Sequence, residues 1–553
     1  MESFNMDIDL YRQMITENDI SAIAFIFDQE RQNIYIADPG DPQQTLEISW
    51  SERSFISGLF ALPQLKISCG VKEIMRALLT SKIPLGKNFF DCSIAAYLLN
   101  STIGKYDLSI LQTAYLPDLP IPESNSEKLA FLLKLQPFLQ EQLKTQNLAK
   151  LFYDLEMPLC EVLAEMEFNG MKLDKKMLLD LRAKFSGTLA KLETEIYQLA
   201  GEKFNLNSPK QLGDVLFNKL QLPPGKKTKS GLSTDVEVLQ KLQDAHPVIN
   251  KILDYRQISK LQSTYVEGLI NALDEDDKIH TTFKMTATAT GRLSSTEPNL
   301  QNIPVRSAMG GELRKVFIPG KNGNFFVSGD YSQVELRILA IISGDRNMQQ
   351  AFRNNEDIHT VTAREVFNVP TSEVTPELRR RAKAVNFGIV YGISAFALSE
   401  DLHISKTEAE SYIKKYFERY PGVKNYLSNI VDEAKNNGFV TTMFGRKRAI
   451  PELKNKNFAI RSFGERVAMN TPIQGSAADI IKLAMLNLFQ AMRQQQLQSK
   501  LIMQIHDELL LDVVPNELDL IKNLLQTTME QVLELPIPLS VEVNSGNNWF
   551  ETK

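Results

Sequence analysis

Brief apolar runs and helix-length apolar stripes alternate along the first hundred residues. Ala22 to Phe27 and Asn33 to Ala37 are short and β-prone, whereas Val71 to Leu79 repeats its apolar positions with a helical period. That alternation predicts a small α/β domain. The Pro- and Ser-rich stretch Leu116 to Ser126 predicts an exposed loop. Glu127 to Ala200 is mostly amphipathic helix, which puts a domain boundary near Leu148 to Pro158. Residues 201–270 read as helices interrupted by a polar, basic segment, Pro223 to Ser233, suited to a mobile loop. From Ile279 onward, strands and long helices alternate. No internal repeat is present, and the remaining compositional bias is a Gln cluster at Arg493 to Gln498.

Within that pattern four stretches carry chemistry. In Asn324 to Arg337 a β-prone run ends at Gly329-Asp330 and a helix is predicted over Gln333 to Ile342. Asp330 therefore stands at a strand end, where it either caps the helix or faces a ligand. In Ile502 to Val514 two β-prone runs flank the polar centre His506-Asp507-Glu508, the pattern of a hairpin with acids at its tip. Two divalent ions roughly 3.5–4 Å apart can drive transfer of a nucleotidyl group, and hard Mg²⁺ prefers carboxylate oxygens. Asp330 and Asp507 on separate strands could bridge such a pair, although the sequence does not show whether those strands adjoin.

The third stretch is a helix predicted over Pro376 to Gly392. Arg379, Lys383, Phe387 and Tyr391 recur every four residues and form one winding stripe, two cations followed by two rings. Such an order suits a nucleoside triphosphate, and it also suits a basic surface stripe running into an aromatic end. The fourth stretch repeats the spacing with the polar donors Arg466, Asn470 and Gln474, although Pro472 makes a regular helix imperfect there. These side chains can donate to the minor-groove acceptors that every base pair offers.

Length and composition narrow the setting. A chain of 553 residues predicts two to four domains. An apolar share of 43% and a charged share of 23% are ordinary for a globular protein. Cys69, Cys92 and Cys160 lack the spacing of a zinc site or disulfide frame, and no run reaches the ~20 apolar residues of a membrane span. A cytoplasmic protein with no membrane partner is expected. The net charge of −5 does not advertise nucleic acid, but three local basic patches could track phosphate. They are Lys226-Lys227-Lys229, Arg379-Arg380-Arg381 with Lys383, and Arg446-Lys447-Arg448.

Taken in order, these stretches resemble the motifs of A-family DNA polymerases. Asp330 to Arg337 resembles motif A, Arg379 to Tyr391 the motif B helix, and His506-Asp507-Glu508 motif C. Ala289 to Pro304, Gln474 to Ile480, Phe204 to Leu212 and Lys260 to Tyr265 resemble further family signatures. The likeness is dense over Leu148 to Lys553 and greatest to the Bacillus-type large fragment of polymerase I. It implies an α/β and α+β multidomain fold, a right hand on an exonuclease-like domain. Residues 1–150 would be that domain and 151–553 the polymerase. The thumb is expected near 201–275, the palm near 276–345 and 465–553, and the fingers near 346–464.

The resemblance also implies roles. Asp330 and Asp507, with the Tyr331 carbonyl, would hold two Mg²⁺ ions, with Mn²⁺ able to substitute. Glu508 would be an accessory acid near the primer end. Arg379, Lys383 and His359 would hold the triphosphate, with Lys383 also catalytic. Phe387 would face the sugar and Tyr391 the templating base. Gln333 and Glu335 would belong to the nucleotide pocket, Glu335 closing the 2′ side of the sugar. Arg292, Asn299, Gln301, Arg466, Asn470, Gln474 and His506 would touch DNA. Primer–template DNA and dNTPs are the implied partners of a monomer at the bacterial nucleoid.

The first 150 residues depart from the family. Phe89 to Asn100 fits the scaffold of a 3′–5′ exonuclease, but the Asp-x-Glu motif of its first strand is absent and no Tyr-x₃-Asp follows in Glu127 to Gln146. Asp28, Glu30 and Asp91 read as surface or capping acids, so proofreading is expected to be lost. No counterpart of the 5′-nuclease domain of full-length polymerase I is expected. Three other readings are weaker. A single-subunit RNA polymerase conflicts with Glu335, a non-catalytic DNA binder with the retained Asp330, Asp507, Arg379 and Lys383, and a nuclease with the missing acids.

Overall fold

The computed structural model describes residues 7–41, 44–225, 227–228, 231–304 and 308–553. Lys226 and Lys229 of the predicted basic loop lie outside them. Two compact units emerge, the first built from Met1–Asn169, Thr282–Ser295 and Val327–Asn544. Gly170–Thr281, Thr296–Phe326 and Ser545–Lys553 form the second.

The predicted α/β region of the first unit is a five-stranded sheet. Its strands are β1 (Ala22–Asp28), β2 (Asn33–Ala37), β3 (Thr45–Ser49), β4 (Leu65–Ser68) and β5 (Phe89–Asp91), in the order β3-β2-β1-β4-β5. β1, β2 and β3 pair antiparallel, while β4 runs parallel to both β1 and β5. Helices α1 (Val71–Thr80) and α2 (Cys92–Leu99) flank β5 in sequence. Helix α3 (Asn125–Thr145) starts where Ser124 and Glu127 form a reciprocal capping box that satisfies orphan amides. Leu129, Leu132, Leu135, Leu139 and Leu143 then recur at helical spacing, and all are buried against the sheet and α2. The expected loop before α3 is present. Helix α4 (Met157–Asn169) packs on α1.

A second sheet of the first unit gathers strands remote in sequence. Its strands are β6 (Phe325–Tyr331), β7 (Lys500–Ile505), β8 (Glu508–Val513) and β9 (Val541–Gly546), in the order β7-β8-β6-β9. The helices of the same unit include α5 (Val334–Ser343), α6 (Ile358–Phe367), α7 (Pro376–Val390), α8 (Phe458–Gln494) and α9 (Leu518–Glu530), with α6 packed on α7 and α5 and α9 on α8. Helix α8 runs unbroken through Pro472, contrary to the sequence expectation. Proline removes one amide, but Thr471, Ile473, Gly475, Ser476, Ala477 and Ala478 are buried on both sides, and packing outweighs the lost hydrogen bond.

In the second unit, helices Lys175–Ala200 and Pro247–Lys260 pack around a core that includes Ile196, Leu212, Leu216, Leu239, Ile249 and Ile252. A small sheet joins Phe317–Ile318, Met171–Leu173 and Lys278–Ile279. Trp549 is buried there, with the Arg314 guanidinium 4.0 Å from its ring centroid. Among the described residues, no helix is long and apolar enough to cross a membrane.

Candidate active site

Strand β6 is buried from Phe326 to Gly329, and packing demands the glycine. A Cβ at Gly329 would lie 2.9 Å from Leu525 Cδ2 and Met529 Sδ of α9. Asp330 follows, half-buried, and then Tyr331, whose hydroxyl donates to the Met529 carbonyl at 2.8 Å. Helix α5 does not begin at Asp330. Its N-cap is Gln333, held in the left-handed region at φ 56°.

The predicted hairpin is present. β7 and β8 pair antiparallel with Ile505 opposite Glu508, which leaves His506 and Asp507 as a two-residue turn. His506 takes φ 54°, and the buried Gln504 steadies the turn by donating its amide to the His506 carbonyl at 2.7 Å. The Tyr331 amide donates to the Asp507 carbonyl at 3.1 Å. Asp330 and Asp507 thus stand on neighbouring, hydrogen-bonded segments of one sheet. Glu508, expected at the tip, is instead buried as the first residue of β8, a strand whose first four residues are all buried.

Among the described residues, no three or more His, Cys, Asp and Glu side chains gather as a metal cage. Asp330, Asp507 and the Tyr331 carbonyl would offer oxygen donors only. That set suits a hard cation completing its shell with water and substrate oxygens.

Helix α7 begins with Thr375 as N-cap and Pro376 in its first turn. Its predicted stripe is accessible: Arg379 and Tyr391 are exposed, Lys383 and Phe387 half-buried, while Ala382, Val385, Asn386 and Ile389 face the core. The Lys383 ammonium lies 5.8 Å from the Phe387 ring centroid, and the His359 ring is equally far from Phe387. Arg379 donates to both oxygens of Asp357, at 2.6 and 3.3 Å, and Gln333 reaches the same carboxylate at 3.5 Å. Burial pushes the Asp357 carboxyl up, but Arg379 and the Thr360 hydroxyl outweigh it and hold the group at about 2.

His359 is buried, and desolvation lowers its pKa to about 4 against the opposing pull of Asp357. The Thr362 hydroxyl donates to Asn386 Oδ1 at 3.0 Å, which turns the Asn386 amide nitrogen toward His359 Nδ1 at 2.9 Å. Nδ1 therefore accepts, and the neutral ring carries its hydrogen on Nε2. Glu335 is buried and accepts from the Arg292 guanidinium and, at 3.1 Å, from the Tyr391 hydroxyl. Burial and the Glu335 charge raise the Tyr391 hydroxyl to about 12.

On α8, Arg466 is exposed and Asn470 and Gln474 half-buried, so the polar stripe survives the proline. Asn299 and Gln301 belong to the second unit, where the Asn299 side chain accepts from the Gln301 amide at 3.0 Å. The patch Arg446-Lys447-Arg448 is not what its sequence suggests. Arg446 is buried, paired with Glu156 and with Asp479 at 2.6 Å, and Lys482 joins Glu156 at 2.7 Å. Arg380 and Arg381 pair with Glu377 on their own helix. Sequence reading missed Asp357, Asn386 and Gln504. An Asp before Ile-His-Thr signals a helix cap, which Asp357 also is, but nothing local reveals its pairing with Arg379.

Comparison with known proteins completes the picture. The sequence profile of DNA polymerase family A matches residues 175–551, more than half of the chain. DNA polymerase I of Caldicellulosiruptor bescii is 46% identical over 96% of this chain and 61% of its own length. The Lactococcus lactis subsp. lactis and Geobacillus stearothermophilus enzymes of that name are 48% and 43% identical, over 87% and 92% of this chain. These values do not single out a Bacillus type, and the chain spans about six-tenths of the length of these relatives. The POL domain of Pol1 from M. smegmatis, in complex with DNA primer-template and dNTP, superposes with a TM-score of 0.93 at 35% identity. It covers 99% of both chains, which extends the palm, thumb and fingers architecture with an exonuclease-like domain to this fold. By profile, by sequence and by fold, the chain belongs to DNA polymerase family A.

Proposed function

We propose that the chain extends the 3′-hydroxyl of a DNA primer along a DNA template with dNTPs, and that it does not proofread. The observation that carries the reading is the backbone hydrogen bond from Tyr331 to Asp507, which joins the segments bearing Asp330 and Asp507. Asp330, Asp507 and the Tyr331 carbonyl would hold two Mg²⁺ ions, with Mn²⁺ able to replace them. Such ions, when bound, activate the attacking hydroxyl and neutralise charge on the triphosphate. The chain's own residues do the rest. Arg379 and Lys383 grip phosphate oxygens, Arg379 after release from Asp357, and neutral His359 adds one hydrogen bond. Lys383 offers charge and a proton to the leaving pyrophosphate. Phe387 and Tyr391 line the sugar and templating-base positions, with Gln333 beside them and Glu335 closing the 2′ side.

Arg292, Asn299, Gln301, Arg466, Asn470, Gln474 and His506 are the proposed DNA contacts, and Glu508 an accessory acid behind the primer end. The domain limits follow the same reading: an exonuclease-like region over 1–150, a thumb near 201–275, a palm near 276–345 and 465–553, and fingers near 346–464. One chain supplies the whole centre, so a monomer at the nucleoid suffices. Loss of proofreading rests on the missing Asp-x-Glu and Tyr-x₃-Asp motifs, which Asp28, Glu30 and Asp91 do not replace. Asp28 accepts the Glu30 and Arg31 amides in a turn, and Asp91 accepts four backbone amides and the Ser93 hydroxyl.

Primer extension tests the reading, with dNTPs and rNTPs supplied separately. Extension with dNTPs alone is expected, and failure to extend overturns it. A 3′-mismatched primer incubated with Mg²⁺ and no dNTPs is expected to stay intact. Shortening that persists in Asp330→Ala would reveal a working nuclease.

A further inference from the structure

The exonuclease-like region reaches the nucleotide pocket through a short relay. At the end of α2, the buried Tyr97 donates its hydroxyl to the Thr288 carbonyl at 2.7 Å, and Ser101 donates to the Ala289 carbonyl at 3.3 Å. The loop that receives these bonds is itself tied, since the Thr288 hydroxyl donates to the Arg292 carbonyl at 2.7 Å. Gly291 takes φ 90° and lies so near Arg446 that a Cβ would stand 2.6 Å from its Nε. Arg446 cannot yield, because Asp479 and Glu156 fix it. The loop is thus held between two hydroxyls of the N-terminal region and a locked guanidinium, and it ends at Arg292, which grips Glu335.

We infer that Tyr97 and Ser101 are positioning residues for the sugar pocket, holding loop Thr288–Arg292 so that Arg292 keeps Glu335 on the 2′ side of the incoming nucleotide. The inference rests on the reading of Glu335 as the element that excludes a 2′-hydroxyl. It gives the exonuclease-like region a present task in substrate selection. Burial raises the Tyr97 hydroxyl to about 12, so it remains a donor throughout the neutral range.

The test compares Tyr97→Phe, Ser101→Ala, Glu335→Ala and the Tyr97→Phe/Glu335→Ala double variant in single-nucleotide incorporation. Tyr97→Phe keeps the ring and removes one hydrogen bond. The preference for dNTP over rNTP should fall about three- to tenfold and KM for dNTP rise comparably, with kcat within about twofold. Ser101→Ala should shift the same quantities less. In the Glu335→Ala background Tyr97→Phe should add nothing, because both act through one carboxylate. A loss of mere packing would lower stability without moving the discrimination ratio. If Glu335→Ala still rejects ribonucleotides, the gate reading falls and the inference with it. If Glu335→Ala relaxes selection while Tyr97→Phe does not, or if the two effects add in full, the inference alone falls. Should Tyr97→Phe fail to fold, Ser101→Ala decides by the same criteria.

Discussion

Asp91 and Asp330 occupy equivalent places in the sequence, each at the end of a β-prone run that leads into a helix, and the fold uses them in opposite ways. Asp91 is fully buried. Its oxygens accept the amides of Gly70, Val71, Ser93 and Ile94 and the Ser93 hydroxyl, so it caps both α1 and α2. Asp330 remains half-buried because Gln333, three residues later, adopts the left-handed conformation and takes the cap position. Displacing the helix start by three residues converts a cap into a candidate ligand. Burial pushes the Asp91 carboxyl above its ordinary range although its hydrogen bonds pull the other way. Asp91 is committed to the two helix starts beside it, whereas Asp330 lies three residues ahead of the N-cap of the helix that follows it.

The largest expected effect separates the two directly. Asp330→Asn or Asp507→Asn should lower primer extension on the order of 10³-fold, with DNA binding retained and thermal stability nearly unchanged. Asp91→Asn should leave extension within a small factor of the parent. An equal loss from Asp91→Asn would break the comparison. Glu156 sharpens it inside the polymerase region, since this buried acid takes both Arg446 and Lys482 on its Oε1. Glu156→Ala leaves the buried Lys482 without its ion-pair partner, while Arg446 keeps Asp479, and should cost about 3–5 kcal/mol in denaturant unfolding, far more than Asp330→Asn does.

Asp91→Ala should follow at about 2–3 kcal/mol, the loss of a cap together with amides left unsatisfied. The smallest effect is a pH dependence. His359 titrates near 4 in the folded chain against an ordinary 6.5, so the unfolded state binds the proton first. The His359 contribution to stability should decline as pH falls from about 6.5 to about 4 and level off below that. His359→Gln should remove about 1–3 kcal/mol of that decline, as read from unfolding midpoints across the range.

Much of this was legible because period and turn chemistry are local. The strands at Ala22, Asn33 and Phe325, the hairpin around His506-Asp507 and the stripe on α7 follow from residue patterns a few positions long. What failed was tertiary. The basic triplet at Arg446 resembles a solvated patch, yet the partners that bury Arg446 come from positions 156 and 479. Pro472 reads as a break because local rules omit the packing that carries α8 through it. The pairing of Arg379 with Asp357 and the orienting of His359 by Asn386 depend on α6 meeting α7, which no window of sequence contains.

The joined strands β6 and β8 also set a schedule for synthesis. Asp330 leaves the ribosome more than 170 residues before Asp507, and the edge strand β9 follows later still. A nascent chain can therefore complete the five-stranded sheet, and α7 with its stripe, long before Asp507 exists. On the proposed function, a product that ended between Asp330 and Asp507 would be folded in part, would carry one metal-binding aspartate without the other, and would synthesise nothing.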